Sequence, residues 1–569
     1  MFDSKLTNLF TENEKTGNKK TSVMSTDNKF LKAALKETNS TTELGNGAKK
    51  YTTTGSDFVD QFANATNYRN PRNYSDVSTD MSVLWEQNPK MALSLTFYLR
   101  MITRQVQYAD GSKSSVVQRG QGLKHEGIFR MMWVAINHPD VFWDNIPLFI
   151  SIGSWKDIIL MLSYDLQYNG WKNRALDWNK FSHLIMAGLE NPNTSELLKK
   201  YLPQIKANNK CKTVESQADN MIAKWICSFL FDGEKISNYR KYRLLKSSGT
   251  AHEWQKLISQ RKMFNINFDT IHGRALAQLV SSKFLAKNGL ETKYEEWIKS
   301  KPVAKYTGYV YELLAPVQSG YRPNELKSYQ EYTINKQFYG MIEQAEKDMD
   351  TNSSLLVVVD TSSSMTSKVP GTNTTSYNVA KSMALYFSYL LKGKFNKAWM
   401  EFNDNATLKF WKGETPVECL QNDRSEAYGS TNFMSVANVF YDLKMQGVPE
   451  NEFPTGILCV SDGCFDSLSS NRTNFNEFIA FLRKAGFSKE YVDNFKVILW
   501  DIPNYFYGCK PQTAFEDFAD TPNLYHISGL DGSVVAFING DGKEKKTPKT
   551  SEELFLSAMN QESLNKLVI

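Results

Sequence analysis

The sequence predicts a multidomain protein: an N-terminal all-α, HEAT-like helical array followed by a C-terminal α/β domain with a doubly wound, Rossmann-like sheet. Three observations carry this. A chain of 569 residues exceeds what one hydrophobic core supports. From residue 76 to 350, apolar residues recur at helical spacings, with no sustained heptad and no β-alternation. At Ser354-Leu355-Leu356-Val357-Val358-Val359 the pattern changes to a short β-branched run, the signature of a strand buried on both faces.

Residues 1–75 are rich in Thr, Ser, Asn and Lys, so they are expected to form a mostly flexible arm. Phe30–Leu35 and Phe58–Phe62 are its only segments able to dock. In the helical region, residues 76–350, Pro89 opens a helix carrying Met91, Leu95, Leu99 and Ile102. Ile128–Ile136 continues the pattern to the turn at His138-Pro139, and helical runs follow at Val141–Ile150, Asp157–Tyr164, Phe181–Leu189, Ser195–Tyr201 and Ala218–Phe231. Short successive helices bury their apolar stripes by stacking in pairs. In the last region, residues 351–569, helices at Tyr377–Leu391, Phe433–Lys444 and Asn474–Ala485 alternate with strands. Those strands are Ala398–Phe402, Thr407–Trp411, Ile457–Ser461 and Val497–Trp500, with a final strand–helix pair at Leu524–Ile538. Such a sheet collects ligands at the carboxyl ends of its strands.

Composition excludes several classes. Hydrophobic residues at 41% and charged residues at 22% are ordinary for a globular chain. No apolar run approaches the roughly 20 residues of a membrane span. Met1–Lys15 lacks a signal-peptide core, so a cytoplasmic protein without a membrane partner is expected. The six cysteines form no CxxC pair and the six histidines no HExxH, which sets aside zinc and disulfide chemistry. With no nucleophile–base pair and no Walker lysine, no enzyme is expected.

One loop does carry chemistry. Asp360-Thr361-Ser362-Ser363-Ser364 follows the first buried strand, and its D-x-S-x-S spacing turns one carboxylate and two hydroxyls toward one point. Thr431, in Gly429-Ser430-Thr431-Asn432, and Asp462, directly after another buried strand, supply two more oxygens. Asp360, Ser362, Ser364, Thr431 and Asp462 are all hard donors, suited to Mg²⁺ or Mn²⁺. Two carboxylates and neutral hydroxyls leave coordination positions for an acidic group from a partner. The plainer reading is that these residues cap turns and helices.

The set resembles the metal-ion-dependent adhesion site of von Willebrand factor A (vWA) domains, and all five positions match. A second resemblance lies upstream. Arg119-Gly120-Gln121-Gly122-Leu123-Lys124-His125-Glu126, His138-Pro139 and Gly153-Ser154-Trp155-Lys156-Asp157 are similar to the RGGKGER…HP…GRWDD pattern of an uncharacterised family that fuses a helical region to a C-terminal vWA domain. Asn46-Gly47-Ala48, Thr54-Gly55, Tyr239-Arg240-Lys241 and Thr473-Asn474-Phe475 extend the match. The layout is also similar to that of Ro autoantigens, whose helical TROVE module forms a ring closed by a vWA domain, with RNA in and around a basic hole. The resemblance thus implies RNA binding without naming an RNA. Read from the residues alone, Arg119–Glu126 is a polar loop and a solvated first helical turn, with Lys124 and Glu126 facing water. On the same reading Trp155 is a core anchor and Asp157 a helix cap.

Charge gives an independent indication. Between Asp232 and Lys305 there are 15 Lys/Arg against 7 Asp/Glu, an excess of eight in a chain of net charge +6. Tyr239, Arg240, Lys241, Arg243, Lys246, Arg261, Lys262 and Arg274 are the candidate RNA contacts here, with Arg119 and Lys124 from the motif. Tyr242, Trp254 and Phe264 lie among them as stacking surfaces for unpaired bases. The competing reading is a solvated helical face. Two functions follow: a non-enzymatic RNA-binding scaffold for single-stranded or structured RNA, or a protein–protein adaptor in which a partner's Asp or Glu completes the metal.

Overall fold

The structure is a computed structural model that describes residues 41–43, 49–51, 56–65, 71–108, 110–249, 253–271, 273–306, 308–318, 325–348, 354–369, 372–463, 474–502, 523–530 and 551–569. Phe30–Leu35, Asn46–Ala48, Thr54-Gly55, Thr473 and the predicted helix after Leu524 lie outside the described residues. The chain divides into two units: Pro71–Ile266 with Ala558–Ile569, and Met1–Asn70 with Asn267–Ser557. It therefore passes from unit to unit near residues 70, 266 and 557.

The first unit is a run of short helices, including Tyr74–Gln87, Pro89–Arg100, Lys124–Asn137, Pro139–Ile152, Trp155–Asn169, Trp178–Glu190, Ser195–Tyr201, Val214–Leu230 and Lys235–Ser248. Asn88 caps the helix that Pro89 begins, its side chain accepting from the Met91 N–H at 3.0 Å. Ten of that helix's twelve residues are buried, so it is central to the unit. The expectation of no β-structure here is corrected by a small antiparallel ribbon. Its strands are Ile102–Arg104 and Gln118–Gln121 (β3 and β4; β1 and β2 are the paired strands Thr41–Glu43 and Lys49–Tyr51 of the other unit). Strands of three and four residues are too short to show an alternation in sequence.

The last residues of the chain belong to this helical unit. Helix Glu562–Asn565 places Ser563 and Leu564 in its interior, and Leu567 follows. The Gln561 amide pairs with the Arg119 backbone as a strand would, accepting from its N–H at 2.6 Å and donating to its carbonyl at 3.0 Å.

The second unit holds a six-stranded sheet in the order β10-β9-β8-β5-β6-β7. Its strands are Leu355–Asp360 (β5), Ala398–Phe402 (β6), Ala406–Phe410 (β7), Gly456–Ser461 (β8), Lys496–Asp501 (β9) and Leu524–Ser528 (β10). All neighbours run parallel except the β6–β7 hairpin. Leu355, Val357 and Val359 point into one hydrophobic core and Leu356 and Val358 into the other, so β5 is buried on both faces as its composition requires. Helix Ser376–Leu390 packs on the first face; Met434–Met445 and Asn474–Lys484 pack on the second. This is the helical region plus doubly wound α/β domain expected from sequence. Within the arm expected to be mostly flexible, Asp57–Ala63 is a helix capped by Ser56; Phe58 stacks on Phe555 at 6.4 Å and Phe62 meets it edge-on at 5.5 Å.

Candidate metal centre and candidate nucleic-acid surfaces

The chain leaves β5 for β6 on one side and later returns to β8 on the other, so the order reverses at β5. A crevice at the carboxyl ends of these strands is where such sheets bind ligands. Asp360 is the last residue of β5, and Ser461 the last of β8, with Asp462 next. The Asp360 carboxylate is fully buried and held at both oxygens: Oδ1 accepts from the Ser362 N–H at 2.8 Å, and Oδ2 from the Ser461 hydroxyl at 2.5 Å. Ser362 and Ser364 bring their hydroxyls within 3.1 Å of each other.

The Thr431 loop is stitched to the same place by backbone. The Tyr428 N–H donates to the Thr361 carbonyl at 2.7 Å, and the Ser363 N–H to the Gly429 carbonyl at 3.4 Å. Gly429 has φ +82°, and a Cβ there would meet the Asp404 carboxylate at 2.8 Å, so the turn needs glycine. Asp404 in turn accepts from the Ser430 N–H and hydroxyl at 3.1 and 2.5 Å. The structure thus places all five predicted donors on one edge of the sheet. Asp360, Ser362, Thr431 and Asp462 are buried, while Ser364 is exposed and forms the mouth.

Burial pushes the Asp360 carboxyl well above the ordinary carboxylate range, and the neighbouring Asp462 carboxylate pushes it further the same way. The hydrogen bonds from Ser362 and Ser461 oppose that shift without overcoming it. Two carboxylates in one dry pocket repel each other, and a divalent cation would offset that repulsion; the oxygen-only donor set fits Mg²⁺ or Mn²⁺. Among the described residues no group of three or more His, Cys, Asp or Glu is arranged to hold a metal, so any ion here depends on the hydroxyls. Two residues of this edge escaped the sequence reading. Ser461 orients Asp360, and Asp501, a third buried acid, ends β9 opposite Ser461. An acid at the end of a buried strand is the available signal, but the apolar run itself ends at Trp500, one residue short of the strand's end.

The motif residues of the helical unit turn out to be largely architectural. Arg100 is buried and donates twice to Asp157 Oδ2, at 2.9 and 2.5 Å. Asp157 also closes a capping box with Ser154, and Trp155 is buried, both as read from sequence. Gly127 lies where a Cβ would sit 2.4 Å from the Arg100 Cβ, so this glycine admits the arginine stem. Glu126 does not face water as its position in a polar segment implied. It is buried between Arg72 and Arg130, accepting at 2.6 and 2.7 Å. A segment's polarity says nothing about a partner 54 residues away in sequence.

The candidate RNA residues divide. Tyr239, Arg240, Lys241, Arg243 and Lys246 share the helix Lys235–Ser248; Arg240, Lys241 and Arg243 are exposed, and Tyr239 is half-buried. Arg261, Lys262 and Phe264 are also exposed in this unit. Tyr242 offers no stacking face: it is fully buried, its hydroxyl on the Pro203 carbonyl at 2.9 Å. The Lys246 ammonium caps the helix Ser195–Tyr201 through the carbonyls of Lys200, at 3.1 Å, and Leu202, and burial holds its pKa below the usual value. Lys246→Gln is therefore expected to cost about 1–2 kcal/mol of stability in urea denaturation, against less than about 0.5 kcal/mol for Lys241→Gln. Equal effects would remove the capping role. Arg274 lies in the other unit and pairs with Glu312 at 2.6 Å. Arg119 and Lys124 are half-buried at the β3–β4 ribbon and the helix after it. Among the described residues, no helix is long and apolar enough to cross a membrane.

No family profile matches the chain, and no curated protein matches it. Among solved structures it is similar to the crystal structure of the Deinococcus radiodurans Ro (RSR) protein, at 12% identity over 81% of this chain and 93% of that one, with a TM-score of 0.35.

Proposed function

We propose that this chain is a non-enzymatic RNA-binding scaffold of the ribonucleoprotein type. We also propose that its sheet is a vWA domain carrying a Mg²⁺ or Mn²⁺ site for a partner or ring-closing contact. The carrying observation is the helix Lys235–Ser248, which bears five Lys/Arg and no acid and leaves Arg240, Lys241 and Arg243 in solvent. Among the described residues no ion pair engages Arg240, Lys241 or Arg243, so phosphates bound there would release counterions. Ile236 and Leu244, 79% and 65% exposed on the same helix, also mark a face with no packing role in this unit.

The test is filter binding of single-stranded and structured RNA over a salt series. Replacing Arg240, Lys241 and Arg243 with Gln should weaken every RNA alike and lower the salt slope by about two to three. An unchanged slope would reduce this helix to a solvated face. One observation favours an adaptor reading beside it: of the five candidate donors Ser364 is exposed, and a partner's Asp or Glu could complete the ion from that side. Metal-dependent capture of a protein, with no RNA bound at any salt, would select that reading instead.

A further inference from the structure

Two lysines in the helical unit stand where electrostatics disfavours them. Lys124 is the first residue of helix Lys124–Asn137, and Lys156 is the second residue of helix Trp155–Asn169. Helix amino ends carry partial positive charge, and acids, not lysines, stabilise them. The two ammonium groups also repel each other. Burial first, and then Lys156, hold Lys124 below its usual pKa; burial and then Lys124 do the same to His125.

Asp157 acts on Lys124 in the favourable direction, but less than burial and Lys156 act against it. Asp157 is committed to Arg100 and the Ser154 N–H, and Glu126 to Arg72 and Arg130. Exposed Glu215 and the committed Asp157 oppose the shift of His125 without overcoming it. An arrangement that costs stability and persists in a half-exposed position is the kind of local conflict that marks a binding site.

An aromatic path leads from this cluster to solvent. His125 Nδ1 hydrogen-bonds the Tyr164 hydroxyl, and the Tyr164 ring lies 6.4 Å from that of Tyr168. Phe129 and Tyr74 support Tyr168 from behind, at 6.0 and 6.1 Å, and yet Tyr168 remains 56% exposed. A tyrosine fixed on its inner edge and open on its outer side is a preorganised stacking surface.

We propose that Lys124 and Lys156 hold a backbone phosphate of single-stranded RNA, with a neighbouring unpaired base stacked on Tyr168. This rests on the RNA-binding reading above and adds a site separate from the helix Lys235–Ser248. The phosphate would reverse both penalties on the lysines, and stacking restricts the site to unpaired bases, because those of a duplex are already stacked.

The full-length chain, titrated with a fluorescent single-stranded oligouridine and with a duplex of the same length, tests this. Tyr168→Ala should weaken the single strand by about tenfold and leave the duplex unchanged, whereas Tyr168→Phe should keep wild-type affinity. Lys124→Gln with Lys156→Gln should lower the salt slope by about one to two. Thermal melts accompany each variant: Tyr168→Phe, which keeps the ring contacts, should melt as the parent does, and Tyr168→Ala is read only at temperatures where it is folded. If the Tyr168 and lysine variants bind as wild type while the Arg240, Lys241 and Arg243 variant loses affinity, this site is wrong and the RNA-binding reading stands. A wild-type chain that binds neither RNA overturns both.

Discussion

A chain ending at Ser557 is expected to lose the stable fold of the helical unit. The missing dodecapeptide buries Leu564 and Leu567 to 1% and 3% exposure, and each such side chain contributes about 1.5–3 kcal/mol. Its polar contacts are as specific. Gln118 Oε1 accepts from the Ser563 N–H and hydroxyl at 3.0 and 2.9 Å, and Asn145 clamps the Val568 backbone at 2.7 and 3.0 Å. Lys90 donates to the Leu567 carbonyl at 2.5 Å, and Glu562 accepts from the Ser115 N–H and hydroxyl at 2.8 and 2.6 Å. Gln118 and Asn145 are both 1% exposed, so truncation removes four hydrogen bonds made in the interior, at about 0.5–1.5 kcal/mol each. The combined loss, about 5–12 kcal/mol, rivals the whole stability of a typical domain.

The loss should be recoverable, because a synthetic peptide of residues 558–569 binds only the folded form and stabilises it by mass action. Urea denaturation of the full chain, the truncated chain and the truncated chain with peptide measures this. A truncated chain with the parent's midpoint would show that the tail only lies on the surface.

Much of the α/β fold was legible because each of its strands announces itself locally. Leu355–Val359 is apolar at every position, which only a strand buried on both faces tolerates, and the D-x-S-x-S loop follows it at the point where the sheet order reverses. Ala398–Phe402 was read at the bounds it has. The metal edge was legible for the same reason: each donor lies within four residues of a strand end or a glycine turn. Partners distant in sequence left no local mark. The Arg100–Asp157 pair spans 57 residues and the Gln118–Ser563 contact 445, so motif residues that hold the unit together read as a polar loop. The three-residue strand β3 shows no period, and a lysine that caps a helix, Lys246, is spelled no differently from the exposed Lys241 on the same helix.

Asp360→Asn is expected to abolish binding of Mn²⁺ while leaving the metal-free protein folded. The carboxamide keeps the shape of the side chain, and its oxygen can still accept from the Ser362 N–H that now donates at 2.8 Å. What disappears is one of only two carboxylate charges in a donor set otherwise made of neutral hydroxyls, and a hard divalent cation loses most of its affinity with it. Removing that charge also ends its repulsion with Asp462, so the metal-free variant should melt at or above the wild-type temperature. Adding Mn²⁺ should raise the melting temperature of wild type and not that of the variant. Titration calorimetry with Mn²⁺ reads the affinity directly, and equal affinity in the two proteins would end the assignment of Asp360 as a ligand. RNA supplies the second arm. The basic helix and the metal edge belong to different units of the chain, and one metal–phosphate contact competes poorly with several Lys/Arg contacts that add up. RNA affinity should therefore stay within a few fold in Asp360→Asn, and in wild type with EDTA at fixed ionic strength. If both treatments abolish RNA binding in folded protein, the metal is itself the RNA contact, and the division of labour between the two units is refuted.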